Sequence, residues 1–305
     1  ETHDDVEYHF IKLMAQIINP LDDNFRKYLF HFNMDKFISH SFEYIVENIP
    51  NINQENLFEK LQTEDETEDE TEDETDKRKL ILAYMYENGF GITKNIKNTE
   101  TAVALYMEME NDKDAQYRLG FIYNENQELD LAKEWFMKSA LQGQKDAQYF
   151  IGFFYDTGQG IPQDYNLAIE WYTKSAEQND KDAQNNLGLI YSNGNGVEKN
   201  YVLAKEWYEK AAEQNDKNAQ FNLGILYYKG GYGILKNHNL AKKWFMDSSE
   251  QGHRQAQYYL GLIYNNSGQD YIFMAKKWFT KAAEQNQKNA QYQLGLMYYK
   301  GPGEI

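Results

Sequence analysis

The sequence predicts an all-α protein: a solenoid of stacked helix pairs, preceded by a small helical segment. Three observations carry that reading. The string Ala-Gln-x-x-Leu-Gly begins at Ala115, Ala147, Ala183, Ala219, Ala256 and Ala290, with Ile151 replacing Leu once, at steps of 32, 36, 36, 37 and 34 residues. Self-similarity in that range marks stacked supersecondary units rather than one closed core. Within each unit the apolar residues recur at helical spacing. The chain also holds 25 Tyr, 17 Phe and 5 Trp against only 4 Pro, a balance that suits packed helices.

Three regions follow in order. In residues 1–62, outside the repeat, Val6, Phe10, Leu13, Met14 and Ile17 lie on one helical face, and Asn19-Pro20 stops that helix. Further apolar stretches hold Phe25 to Phe32, Phe37 to Ile49 before Pro50, and Leu57 to Leu61. This segment reads as a helical cap or a docking domain, and dimerisation is open to it. Residues 63–76 repeat Thr-Glu-Asp-Glu and carry ten acids. Like charges repel and nothing there is apolar, so disorder is expected. The stretch is either a solvated linker or a tether, phosphorylated at Thr63, Thr67 or Thr71 or bound by a basic partner. Residues 77–305 are repeats.

The unit from Ala183 to Gln214 shows how one repeat works. Asp180 is placed to cap a helix, and Asp182 complements its dipole. Ala183, Leu187, Ile190 and Tyr191 form one apolar face, and Gly188 admits a second helix closely. Gly194 and Gly196 end the helix by supplying positive φ. A second helix carries Ala204, Trp207, Tyr208 and Ala212 on one stripe. The same slots recur: Tyr86, Tyr123, Tyr155, Tyr191, Tyr227, Tyr264 and Tyr298 after the glycine position; Trp135, Trp171, Trp207, Trp244 and Trp278; then Phe136, Tyr172, Tyr208, Phe245 and Phe279. An aromatic stripe at helical spacing reads as core.

These strings, Ala-Gln-x-x-Leu-Gly-x-x-Tyr, Gly-x-Gly-Val/Ile and Ala-x-x-Trp-Tyr/Phe-x-Lys-Ser/Ala-Ala-Glu-Gln, resemble the Sel1-like repeat family, a relative of the tetratricopeptide repeat. The resemblance spans about residues 79–305 and implies antiparallel helix pairs stacked into a right-handed superhelix. It also implies an adaptor role, since members mostly assemble complexes, and it brings no catalytic residues. The first repeat departs from the pattern with Ala83, Leu105 and Glu110 in the Gly, Trp and late Ala slots. The second and sixth units shorten the inter-helix loop. The seventh stops at Gly301-Pro-Gly303, so either the natural chain continues or its lone helix is a cap.

Composition narrows the function. The formal charge of −17 makes nucleic acid a poor partner. The absence of cysteine excludes disulfides, thiol catalysis and Cys-ligated zinc, and together with the lack of a visible signal peptide it fits a cytoplasmic location. No apolar run approaches the ~18–20 residues that span a bilayer. The paired glycines of the inter-helix loops follow helices, not the strand a dinucleotide fingerprint needs. The six histidines show no ligand spacing, and no Gly-x-Ser-x-Gly elbow occurs. The sequence offers no catalytic, cofactor or metal residues.

Individuality lies in the two slots after Ala-Gln. The first reads Tyr117, Tyr149, Asn185, Phe221, Tyr258 and Tyr292; the second reads Arg118, Phe150, Asn186, Asn222, Tyr259 and Gln293. On the concave side of the array they would form a stripe that is aromatic at both ends and amide-rich between. Aromatics and Arg dominate interface hot spots, and Asn hydrogen-bonds peptide backbone. The alternative is that the aromatic members seal neighbouring repeats. A cation also precedes each repeat alanine by two (Lys113, Lys145, Lys181, Lys217, Arg254, Lys288), either as a solvated flank or as a track for an acidic peptide. The expected function is a non-enzymatic adaptor binding a protein or peptide on the concave face. The alternative is a sensor or targeting arm of a larger protein whose effector part lies elsewhere.

Overall fold

The computed structural model describes residues 72–89 and 98–300. The readings for residues 1–62, and the first part of the acidic stretch, lie outside them. The first described helix begins at Glu72, inside the acidic stretch 63–76. Thirteen α-helices are described, α1 to α13, with one short 3₁₀ turn and one isolated bridge between Gly231 and Ile234.

The chain divides into two compact units, Glu1–Gln142 and Gly143–Ile305. In the first, α1 (Glu72–Asn88) pairs with α2 (Thr99–Glu108), and α3 (Lys113–Glu125) with α4 (Leu129–Leu141). In the second, the pairs are α5 (Lys145–Thr157) with α6 (Tyr165–Glu177), α7 (Lys181–Asn193) with α8 (Tyr201–Glu213), α9 (Lys217–Lys229) with α10 (His238–Glu250), and α11 (Arg254–Asn265) with α12 (Ile272–Glu284). Helix α13 (Lys288–Lys300) packs on α12. The described part of each unit is therefore a stack of helix hairpins, the fold class expected from the repeat.

Helix starts are set by the residue three before the repeat alanine. Asp112, Gln144, Asp180, Asp216 and His253 accept from the amides of Ala115, Ala147, Ala183, Ala219 and Ala256. Asn98, Asp164, Asn200 and Asn237 cap α2, α6, α8 and α10. Helices α4 and α12, which follow the shortened loops, have no side-chain cap. Within the second unit the chain reverses from one pair to the next helix through one left-handed residue: Asn179, Asn215, Gly252 or Asn286. Gly and Asn are the residues that tolerate this conformation.

Each pair closes by a ring over a glycine. A Cβ added at Gly120, Gly152, Gly188, Gly224 or Gly261 would lie 2.4–2.7 Å from a ring carbon of Phe136, Tyr172, Tyr208, Phe245 or Phe279 respectively. Those rings are fully buried or nearly so. The tryptophans next to them are less deep, with Trp207 and Trp244 half-buried. A lysine lies over the indole at 4.0 Å in Lys138–Trp135, Lys174–Trp171 and Lys210–Trp207. The tyrosine slot read as core is mostly half-buried, and Tyr298 is exposed. Its ring sits at the pair's margin while the ring after Trp fills the centre.

The buried glutamine of Ala-Gln is a rivet. Its Oε1 accepts from the glutamine that ends the second helix of the same pair: Gln142 to Gln116, Gln178 to Gln148, Gln214 to Gln184, Gln251 to Gln220 and Gln285 to Gln257, all at 2.8–2.9 Å. Its Nε2 reaches back to the preceding pair, as in Gln184 to the Ala176 carbonyl (3.1 Å) and Gln116 to the Glu110 carbonyl (2.6 Å). One side chain thus satisfies its own buried amide, closes its hairpin and ties it to the one before.

Two outcomes are expected. Gln184→Leu leaves the Gln214 amide and the Ala176 carbonyl without this partner, at a cost of about 1–3 kcal/mol in urea unfolding; an unchanged midpoint would show the rivet idle. The second concerns His253, which caps α11 through Nδ1 and stacks on Phe221 at 4.6 Å. Burial, then Lys217 and Arg254, hold its pKa below the ordinary 6.5, with Asp216 opposing. The unfolded chain therefore takes the proton first, and stability falls as pH drops below 6.5. His253→Asn keeps a cap acceptor without titrating. The wild type should lose melting temperature relative to it between about pH 7.5 and 5.5, and a difference independent of pH would refute the role.

Candidate partner-binding site

The two variable slots sit on successive residues of each first helix, so they point to different neighbours. In α3, α5, α9 and α11 the first slot leans on the second helix of its own pair. Tyr117 meets Phe136 (ring centroids 5.9 Å), Tyr149 meets Tyr172 (5.7 Å), Phe221 meets Phe245 (5.9 Å) and Tyr258 meets Phe279 (5.9 Å). The second slot turns to the preceding pair. Asn186 Nδ2 donates to the Tyr172 hydroxyl (3.0 Å), Asn222 Nδ2 donates to Asn185 Oδ1 (2.9 Å), and Tyr259 stacks on Phe245 (5.3 Å).

In the first unit the second slot is Arg118, whose guanidinium pairs with Glu87 of α1 through both Nε (2.9 Å) and Nη2. Tyr106 donates its hydroxyl to the same carboxylate (2.9 Å), and the guanidinium lies over Tyr84 (4.9 Å) and Phe121 (5.4 Å). Burial disfavours the Arg118 charge, but Glu87 outweighs it and holds the pKa above the ordinary arginine value. Burial and Glu87 together push the Tyr106 phenol well up. Arg118 is thus engaged by the first helix pair.

In the second unit the stripe forms two groups. Around α5 and α7, the Tyr172 hydroxyl donates to Asp156 Oδ2 (3.3 Å) and accepts from Asn186. Burial, then Asp182 and Asp180, push Tyr149 up to about 12. Burial raises Asp180 to about 6 against its bond to Ala183 and the charge of Lys145. Lys145 and Lys181 act on Asp182 as well, so these members of the cation track stand beside carboxylates of the same face. Around α9 and α11, Phe221, Tyr228, Tyr258 and Tyr259 form one aromatic group. Phe221 lies 5.9 Å and Tyr228 5.5 Å from Tyr259, and Tyr258 lies 5.6 Å from it.

Most of these side chains keep an exposed edge. Tyr149, Phe150, Asn186, Phe221, Asn222, Tyr258 and Tyr259 are half-buried, as are Tyr117, Arg118 and Gln293, while Asn185 is buried. Tyr292 is exposed on α13, where a Cβ on Gly295 would meet nothing within 4 Å. Sequence reasoning stopped one helical turn short. Phe153, Leu189, Ile225 and Leu262 follow the first slot by four residues on the same helix face, none is fully buried, and the i+4 spacing could have found them. Among the described residues no group of His, Asp and Glu is placed to hold a metal, and no helix is long and apolar enough to cross a membrane.

The Sel1 repeat model matches residues 80–106, 113–144, 145–180, 181–216, 217–253, 254–287 and 288–305. A solved Sel1 repeat protein from Oxalobacter formigenes is 30% identical over 64% of this chain and 80% of its own, with a TM-score of 0.59. A protective antigen of uropathogenic Escherichia coli displaying an SLR fold is 28% identical over 86% of this chain, with a TM-score of 0.69. This chain spans 56% of that antigen. No curated protein matches it. With seven matched units set on the helix hairpins described above, the chain belongs to the Sel1 repeat family.

Proposed function

We propose that the protein is a non-enzymatic adaptor that binds a protein or peptide segment across the first-helix face of its second unit, from Tyr149 to Tyr259. Sel1 repeat proteins generally mediate protein–protein interaction, and the family is generally non-catalytic. One observation carries the placement: the rings and amides of this face are held by core partners yet stay half-exposed. Tyr259 is stacked on Phe245, Phe221 on His253, and Asn186 is bonded to Tyr172. Side chains fixed in this way lose little further freedom on binding, so more of the contact energy appears as affinity. Half-exposed phenols and carboxamides present donors and acceptors beside apolar surface, which suits an extended backbone with intermittent apolar side chains.

The decisive comparison is quantitative capture from source cells by the wild type, by Leu189→Ser with Tyr258→Ser, and by Tyr258→Phe. Neither substituted side chain is fully buried, so the fold is kept, which circular dichroism melting checks. Captured proteins should fall about ten-fold with the double variant and persist with Tyr258→Phe. Equal capture by all three would remove the first-helix face as the binding site.

A further inference from the structure

The loop between α9 and α10 departs from its sister loops. The α5–α6 loop reads Gly158-Gln-Gly-Ile-Pro162, and the α7–α8 loop reads Gly194-Asn-Gly-Val-Glu198. The α9–α10 loop reads Gly230-Gly-Tyr-Gly-Ile-Leu235, one residue longer, which produces the 37-residue step. The added residue is Tyr232, 94% exposed, and Leu235, where the sisters carry Pro162 and Glu198, is 89% exposed. Ile234, the counterpart of Ile161 and Val197, is buried and roots the loop.

The loop is built to hold this shape. Gly231 and Ile234 exchange two backbone bonds, Ile234 N to Gly231 O (2.9 Å) and Gly231 N to Ile234 O (3.0 Å). Tyr232 and Gly233 are the central residues of that turn, and Gly233 has φ +78°, which its position demands. A Cβ on Gly233 would lie 2.6 Å from Val202 Cγ2, and one on Gly231 would lie 2.7 Å from the Tyr201 ring. Gly230, with φ +71°, sits at the base, where Lys236 Cβ would be 3.3 Å from its own added Cβ. That brings the two ends of the loop, and with them Lys229 and Lys236, together at its root. Both lysines are exposed, and neither forms an ion pair with a carboxylate among the described residues.

We propose that this loop is a second, preformed docking finger: Tyr232 and Leu235 enter an apolar pocket of a protein partner whose rim carries carboxylates facing Lys229 and Lys236. It is separate from the first-helix face, and either site can fail without the other. A rigid projection with two large apolar side chains offers an anchor at little ordering cost. Tyrosine is enriched at such anchors. Charge complementarity assigns the rim, because the loop's two ends bring two exposed lysines, with no carboxylate paired to them among the described residues, to the root of an apolar projection. The formal charge of −17 opposes an anionic bilayer, against which two lysines contribute only about 1 kcal/mol each.

The test places a p-benzoylphenylalanine crosslinker at position 232 of the full chain in source cells, identifies the adduct, and measures binding of that purified protein. The proposal expects direct binding that weakens about ten-fold with Tyr232→Ser plus Leu235→Ser and again with Lys229→Glu plus Lys236→Glu. Tyr232→Phe should bind within about two-fold of the wild type. All four side chains are exposed, so melting temperatures should not move. Absence of an adduct, absence of direct binding, or affinity indifferent to Tyr232 and Leu235 would each overturn it. So would lysine-dependent capture of the chain by vesicles of about three parts in ten phosphatidylserine in phosphatidylcholine, which would reassign the loop to a membrane surface.

Discussion

The ring laid over glycine is the contact on which the rest of each hairpin depends. A fully buried aromatic side chain removes roughly 150–250 Å² from water and contributes several kcal/mol. It does so here only because the facing residue has no Cβ. Tyr208 could not approach α7 at its present distance if Gly188 carried even a methyl group. That approach also brings the helix ends together, so that Gln214 meets Gln184 at 2.9 Å. The hydrogen-bonded rivets are thus a consequence of the apolar contact, and they add direction to it. Burial alone tolerates sliding of one helix along another, whereas a carboxamide that must find both Gln214 and the Ala176 carbonyl fixes one register.

The first pair reaches the same end by another route. Ala83 occupies the glycine slot and Leu105 the tryptophan slot, and Tyr106 directs its hydroxyl to Glu87. Glu87 is buried, which would be costly for an isolated carboxylate. Arg118 and Tyr106 together supply three donors to it, so the charge is paired and hydrogen-bonded. Removing Arg118 alone would strand that carboxylate, while replacing the whole set by apolar residues need not destabilise. The ion pair therefore specifies how α3 meets α1 more than it stabilises their packing.

Much of this was legible in the sequence, because each rule is local. The step of the Ala-Gln string gives the hairpin length, and Asp180 announces a helix start. Gly188 pointed to a close approach. The partners of that approach were harder to read. Periodicity placed both Tyr191 and Tyr208 on apolar faces, yet only Tyr208 lies over glycine and is fully buried; the difference comes from the angle between helices, which spacing along one helix does not contain. The glutamine rivets were visible as letters in Ala-Gln and Glu-Gln, but their pairing joins residues about thirty apart in the chain. In the sequence the two variable slots form one stripe, although neighbouring positions on a helix diverge by about 100°. That turn sends Tyr258 to Phe279 of its own pair and Tyr259 to Phe245 of the preceding one.

This double duty limits where a partner can be specified. A change at Asn222 or Tyr259 alters the seat of one hairpin on the next, since these side chains bond Asn185 and stack on Phe245. Evolution of a new specificity through those slots would disturb stacking at the same time. Two kinds of position escape the conflict. One is the turn that follows the first slot, where Leu189 shows a third of its surface and carries no ring-over-glycine contact. The other is the inter-helix loop, whose length already varies from the shortened forms after α3 and α11 to the extended form after α9. An added residue there leaves Gly224, Phe245 and the Gln220–Gln251 bond in place, because the loop is rooted by Ile234 and rejoins the capping Asn237 through its bond to the Tyr227 carbonyl. Recognition can thus be rewritten in a Sel1 array at the tip of a hairpin while the spacing between hairpins stays fixed.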